Sequence, residues 1–309
     1  MKTNNFYQVL IALFVSISTY AGGNAAKEPI VISGTKFTYP LIEKWISEYE
    51  KVNPNANIKL AVKTISGQAV DLNIIAHQPT QNELQPTQEI LYAGRYALLP
   101  VTNSYNPILA ATAKKGLNKR ELDKLFFEVV DYESDEPAQK SKYKANIYSR
   151  DNQASSSTTL AGFFGHQTSE IRGKKVFGDD IYLLSAIKKD TIGLTFNNLG
   201  YIYDVTSRNL KNGLALLPIE LKKDAKPILT GNLDQVIIVL ESTRVETIPV
   251  EKIGFVYSQQ SARKEVAEFL KWVLTDGQKF NHEKGFLNLT KDALAEQELR
   301  LSGKLLSLK

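Results

Sequence analysis

Apolar positions recur along this chain with two alternating periods. "IVIS" is a short apolar strand. Leu41, Ile42, Trp45, Ile46, Tyr49 and Val52 then return at helical spacing, with Pro40 where a first helical turn tolerates it. "NPNA" closes that helix, and "IKLAV" reads as a second strand. A strand, a helix and a strand in this order predict a parallel sheet. "VDLNIIA" gives a third strand and "RYALLPVTN" a continuous apolar fourth. "NPILAATAKKGLNKRELDKLFF" reads as polar helices with apolar faces, and "DYESDEPAQKSKYKA" as a charged, exposed loop. "ANIYS" is a strand, "TLAGFFG" leaves the next turn as a helix, and "DTIGLTFNNLGYIYD" is strand-rich with glycine turns.

Near the end, "VEKIGFVYS" is a strand and "SARKEVAEFLKWVLTDGQ" an amphipathic helix. Ser261 fits its N-cap, and Ala262, Val266, Phe269, Leu270 and Val273 share one face. "GFLNL" and a last helix, "KDALAEQELRL", follow. Alternating strands and helices over this length predict an α/β protein with two lobes. Ligands of such sheets sit at the carboxyl ends of strands, where helices begin. Both "GTKFTY" and "ASSSTT" occupy such strand-to-helix turns. One connection is anomalous. Only a few residues separate "IKLAV" from "VDLNIIA", whereas a parallel pair needs about a dozen or more. This predicts either an antiparallel hairpin around Ser66 and Gly67 or an opened edge of the first lobe.

Composition changes the picture at the start of the chain. "MKTNNFYQVLIALFVSISTYAGGNAA" has a basic start, an apolar run and small residues, the pattern of a signal peptide over residues 1–26. The run is short for a span, which takes about 20 apolar residues. The chain has no cysteine, so neither disulfides nor a lipid anchor on cysteine is available. The periplasm is the expected destination. The 309 residues carry a net charge of +5 with both signs interspersed, which suits an anionic ligand or surface without requiring one. An exported chain meets little nucleic acid.

The stretch "SRDNQASSSTT" joins an arginine, an aspartate and five consecutive hydroxyl residues. Two readings stay open on these residues: a polar surface loop, or an oxyanion cradle built from a guanidinium, hydroxyls and helix-start amides. Catalysis lacks a pattern. There is no G-x-S-x-G elbow, and His77, His166 and His282 stand without partner motifs. No metal, cofactor or nucleotide motif is present in the sequence.

In order and spacing, "SGTKFTYPLIEKW", "YALLPVTNSYNP", "NKRELDKLFF", "SRDNQASSSTT", "IPVEKIGFVYS" and "FLKWVLTDGQKFNHEKGFLNLT" resemble the PstS-like phosphate-binding proteins of ABC importers. These belong to the type II periplasmic binding protein superfamily. The resemblance implies an α/β, two-lobed fold with two crossing strands. It places residues 27–102 plus 247–309 in lobe I and 103–246 in lobe II. It implies a monomer that is not an enzyme and holds phosphate or a similar oxyanion in the cleft. Lys36 and Phe37 fall on the first loop's backbone donors, and Ser66 on a hydroxyl donor. Asp71 falls on the carboxylate that accepts a hydrogen bond from the protonated anion. Arg150 falls on the cationic contact, with Ser155, Ser156 and Ser157 on the hydroxyl-rich turn. The chain departs from that pattern where only "GQAV" separates Ser66 from Asp71, in place of a helix. A helix lost there removes amide donors and a positive dipole end. Two functions follow as alternatives: a periplasmic solute-binding protein feeding a membrane transporter, or the same fold without ligand, docking on an envelope complex.

Overall fold

The computed structural model describes residues 28–61, 69–80, 82–128, 141–258 and 263–307. The proposed signal peptide, Ser66 and Gly67, the N-cap Ser261 with Ala262, and most of the charged loop after Phe127 lie outside them.

The chain opens with strand β1 (Ile30–Gly34), a single 3-10 turn (Lys36–Thr38) and helix α1 (Tyr39–Val52). Strands β2 (Ile58–Leu60), β3 (Leu72–Ile75) and β4 (Gln88–Asn103) follow. The next segment holds helices α2 (Ile108–Thr112) and α3 (Lys119–Phe126), strand β5 (Asn146–Arg150), helix α4 (Ser155–Phe164) and strand β6 (Lys174–Val176). Helix α5 (Ile181–Lys188), strand β7 (Gly193–Asn198), helix α6 (Leu199–Ile202) and strand β8 (Leu214–Leu216) come next. Helices α7 (Pro227–Thr230) and α8 (Leu233–Ser242) lead to strand β9 (Val250–Ser258) and helices α9 (Lys264–Leu274) and α10 (Lys291–Ser307).

The strands follow one hydrogen-bonded path, β2-β1-β3-β9-β4-β7-β5-β6, with β8 also on β4. The path is continuous only through β4, which serves two sheet halves. Its residues Gln88 to Ala97 pair antiparallel with β9. Its residues Leu98 to Asn103 pair antiparallel with β7 and β8. In the first half, β2 and β3 flank β1, both parallel to it, and β3 runs antiparallel to β9. The hairpin expected around Ser66 is therefore wrong. β2 and β3 do not pair with each other, because β1 lies between them. In the second half, β5 lies parallel to both β7 and β6.

Burial follows the predicted faces with one exception. Leu41, Ile42, Trp45, Ile46 and Tyr49 of α1 are buried, but Val52 at its last position is 64% exposed. Tyr49 meets Phe269 of α9 edge-on and Trp45 lies against Phe255 of β9, so the C-terminal return completes the core of the first half. A second ring cluster, Phe126, Phe164 and Phe196, fills the other half. Asn118 and Glu121 form a reciprocal capping box at the start of α3, satisfying two amides that the helix itself leaves open. Among the described residues no helix is long and apolar enough to cross a membrane.

Candidate functional site

The carboxyl end of β1 faces the start of α4 across a cavity of about 340 Å³. Gly34, Thr35, Lys36 and Phe37 line one wall. Arg150, Asp151, Ala154, Ser155 and Ser156 line the other, with Gly178 to Asp180 and His77 closing it. Gly34 is there for a steric reason. Its φ is +128°, and a Cβ would stand 2.3 Å from the Ile74 carbonyl oxygen. Only glycine lets β1 end this close to β3, where the Thr35 amide donates to the Ile74 carbonyl at 3.0 Å. The serine stretch is not a loop. Ser155, Ser156 and Ser157 are the buried first turn of α4, which starts four residues earlier than the apolar pattern suggested. No side chain caps that turn or the turn at Lys36–Thr38. First-turn amides of α4 have no acceptor within their own helix, so that turn can donate to an anion; at the 3-10 turn the Thr35 and Thr38 amides are already taken by the Ile74 and Thr35 carbonyls.

The sequence-predicted residues divide into three groups. Lys36, Phe37, Arg150, Ser155 and Ser156 line the cavity together. Ser157 does not. Its hydroxyl turns back and donates to the Arg150 carbonyl at 3.1 Å, tying α4 to the end of β5. Asp71 is at the opposite, amino end of β3. Its carboxylate accepts from the Val31 amide and from Arg263 Nη2, both at 2.8 Å. It clamps β1 and the start of α9, which corrects its reading as the acceptor for a protonated anion. Ser66 lies outside the described residues.

Arg150 is 8% exposed and heavily engaged. Nε donates to Asp180 Oδ1 at 2.8 Å, Nη1 to the Val176 carbonyl at 2.6 Å and Nη2 to the Gly178 carbonyl at 2.7 Å. Asp151 adds an ion pair at 3.2 Å. The guanidinium thus pins the turn after β6 to the end of β5 and brings little unneutralised charge to the cavity. Burial pushes the Asp180 carboxyl up to about 6, against the opposing pull of Arg150 and of the nearby Ser156 hydroxyl. Asp180 Oδ2 and Ser156 Oγ are buried without a hydrogen-bond partner. Three carboxylates, Asp151, Asp179 and Asp180, line the cavity against two cations, Lys36 and Arg150.

Four side-chain contacts join the two walls. Ser155 Oγ lies 3.0 Å from Thr35 Oγ1 and 2.9 Å from His77 Nδ1. Thr159 donates to the Ala76 carbonyl, and Tyr96 reaches both Ala76 and Thr159. Sequence reasoning missed Thr35, His77, Asp179 and Asp180. Thr35 and His77 could have been flagged, since they stand one and two residues past the carboxyl ends of β1 and β3. Nothing local in "GDDIY" marks Asp180 as buried; that depends on Arg150 folding over it.

No protein-family model matches the sequence, and no curated protein matches it significantly. Solved structures do match in shape. A Clostridium perfringens protein described as a phosphate ABC transporter substrate-binding protein, with phosphate bound, superposes with a TM-score of 0.62 at 11% identity, over 85% of this chain and 100% of its own. An ABC-type phosphate transport receptor from Vibrio cholerae gives 0.55 at 13%, over 84% and 100%. A hydrogen-peroxide-bound OxyR mutant from Corynebacterium glutamicum gives 0.51 at 12%, over 92% and 70%. The fold is therefore the two-lobed, type II periplasmic binding protein fold, with β4 running through both halves. Identities this low establish the fold and not the ligand.

Proposed function

We propose that the chain is a solute-binding protein that holds a small oxyanion, phosphate or phosphate-like, between lobes built from residues 27–102 plus 247–309 and from 103–246. The observation that carries this reading is the meeting of two turns without side-chain caps on one cavity, through Lys36 and Phe37 on one wall and Ser155 and Ser156 on the other. Thr35, Ser155 and Ser156 add hydroxyl residues to the same lining, and the first-turn amides of α4 supply further donors. Two of the structural neighbours are phosphate-binding by description, which supports the ligand class. The leader-like residues 1–26 support export to the periplasm, where the partner is a membrane transporter.

The test is calorimetry on protein unfolded and refolded to strip carried-over ligand. Phosphate should bind with a stoichiometry of one, and Lys36→Ala should weaken it. Absence of binding at millimolar phosphate would remove the oxyanion reading. A second reading has its own support. Ser155 already bonds Thr35 and His77 across the cavity, and carboxylates outnumber cations in its lining. These features suit a cleft that stays shut and serves an envelope complex by docking. Absent phosphate binding, together with co-purification of a membrane complex, supports that alternative.

A further inference from the structure

The hydroxyl that bridges the cavity has a second set of neighbours. His77 Nδ1 faces Ser155 Oγ at 2.9 Å, and His77 Nε2 faces Glu83 Oε1 at 3.2 Å. A carboxylate can only accept, so Nε2 carries the proton, and Nδ1 is left as an acceptor aimed at the serine. Glu83 is itself held in place, since its Oε2 accepts from the Thr80 amide at 2.7 Å. His77 is mostly shielded and Glu83 is half exposed, with side-chain exposures of 12% and 46%. Serine, base and orienting carboxylate form a chain of the kind that activates a nucleophile. Ser155 opens α4, on a strand-to-helix turn, and lines the cavity together with Ser156. The amide of Ser156, the residue after the serine, belongs to the uncapped first turn and is a donor for an oxyanion there.

We propose that Ser155 is an activated nucleophile, with His77 as its base and Glu83 as a positioning residue, and that the cavity accepts small carboxylic esters. In the forward step Ser155 Oγ bonds to the carbonyl carbon while its proton passes to His77 Nδ1. The carbonyl oxygen takes the electron pair and faces the Ser156 amide. Collapse breaks the bond to the leaving alcohol, which takes the proton from His77. Water then repeats the sequence and releases the acid and Ser155. The serine comes from one wall and its base from the other, so the relay exists only while the walls are together. This inference does not require phosphate binding.

The test is reaction of the full chain with a biotinylated fluorophosphonate, read by intact mass and by peptide mapping. Stoichiometric labelling on Ser155 is expected, with loss in Ser155→Ala and a fall of about 100-fold or more in rate in His77→Gln. Glu83→Gln should slow labelling and Glu83→Asp should restore part of it, which a role in turn structure alone would not produce. Circular dichroism of each variant establishes that it is folded. No labelling of the folded wild type, labelling at another residue, or an unchanged rate in His77→Gln would overturn the proposal. Calorimetry with phosphate is independent of all these outcomes, so the two readings fail separately.

Discussion

A guanidinium bonded on three sides has a structural task before any other. Arg150 holds Asp180 and two carbonyls while almost fully buried. Removing one member of a buried ion pair leaves the other uncompensated, at a cost of about 3 to 5 kcal/mol. Arg150→Ala should therefore unfold at markedly lower urea concentration, and Arg150→Met combined with Asp180→Leu should recover much of that loss. If Arg150→Ala leaves the urea midpoint unchanged, the pinning role is wrong. Asp180 gives a pH signature. Its carboxyl is raised from 3.8 to about 6 in the folded chain. Between those values the folded state keeps a proton that the unfolded state has released. The stabilisation is complete below about pH 4 and is lost as pH rises through about 6, a change of about 3 kcal/mol at most. Denaturation curves from pH 4 to 7 should show this decline in the wild type, and Asp180→Asn should flatten it.

At the scale of elements, the amino end of β3 behaves differently from its carboxyl end. Asp71 joins β1 to Arg263 next to α9, in a partly exposed setting. Asp71→Ala should cost about 1 to 2 kcal/mol of stability and leave any affinity for an anion unchanged. A loss of phosphate binding without a loss of stability would restore Asp71 to the ligand site. The error in reading Asp71 from sequence has a physical source. Spacing along the chain places a residue near a strand but not at one end of it, and register decides which end it occupies. Register in β3 is set by Ile32 opposite Leu72, a pairing made across the sheet with no local signature. The faces of α1 and α9, by contrast, were legible because a helix repeats its contacts every few residues. The strand-to-helix turns at "GTKFTY" and "ASSSTT" were legible too. The bonds that cross between them were not, since Ser155 meets Thr35 and His77 only after the whole sheet has formed.

At the scale of the molecule, the two halves share β4 and touch again at the cavity. Binding proteins of this architecture open by hinge motion, and opening here must break the contacts of Ser155 and Thr159 with the facing wall. A Ser155→Ala, Thr159→Val double variant should therefore be more open in solution. Small-angle scattering should give it a larger radius of gyration than the wild type, and equal radii would show that these bonds do not hold the cleft shut.

Strand β4 also imposes an order on synthesis. Its first ten residues wait for β9, whose partners stand far along the chain, Gln88 opposite Ser258 and Ala97 opposite Val250. Pairings so distant in sequence form slowly. Until residues 250–258 emerge, β3 and β4 each present a bare edge, and bare edges pair with whatever strand they meet. A nascent chain stopped before Val250 should be aggregation-prone even though most of its helices are complete. Transport across a membrane in the unfolded state would suit such a chain, because slow folding gives the export machinery time to act before the last strand closes the sheet.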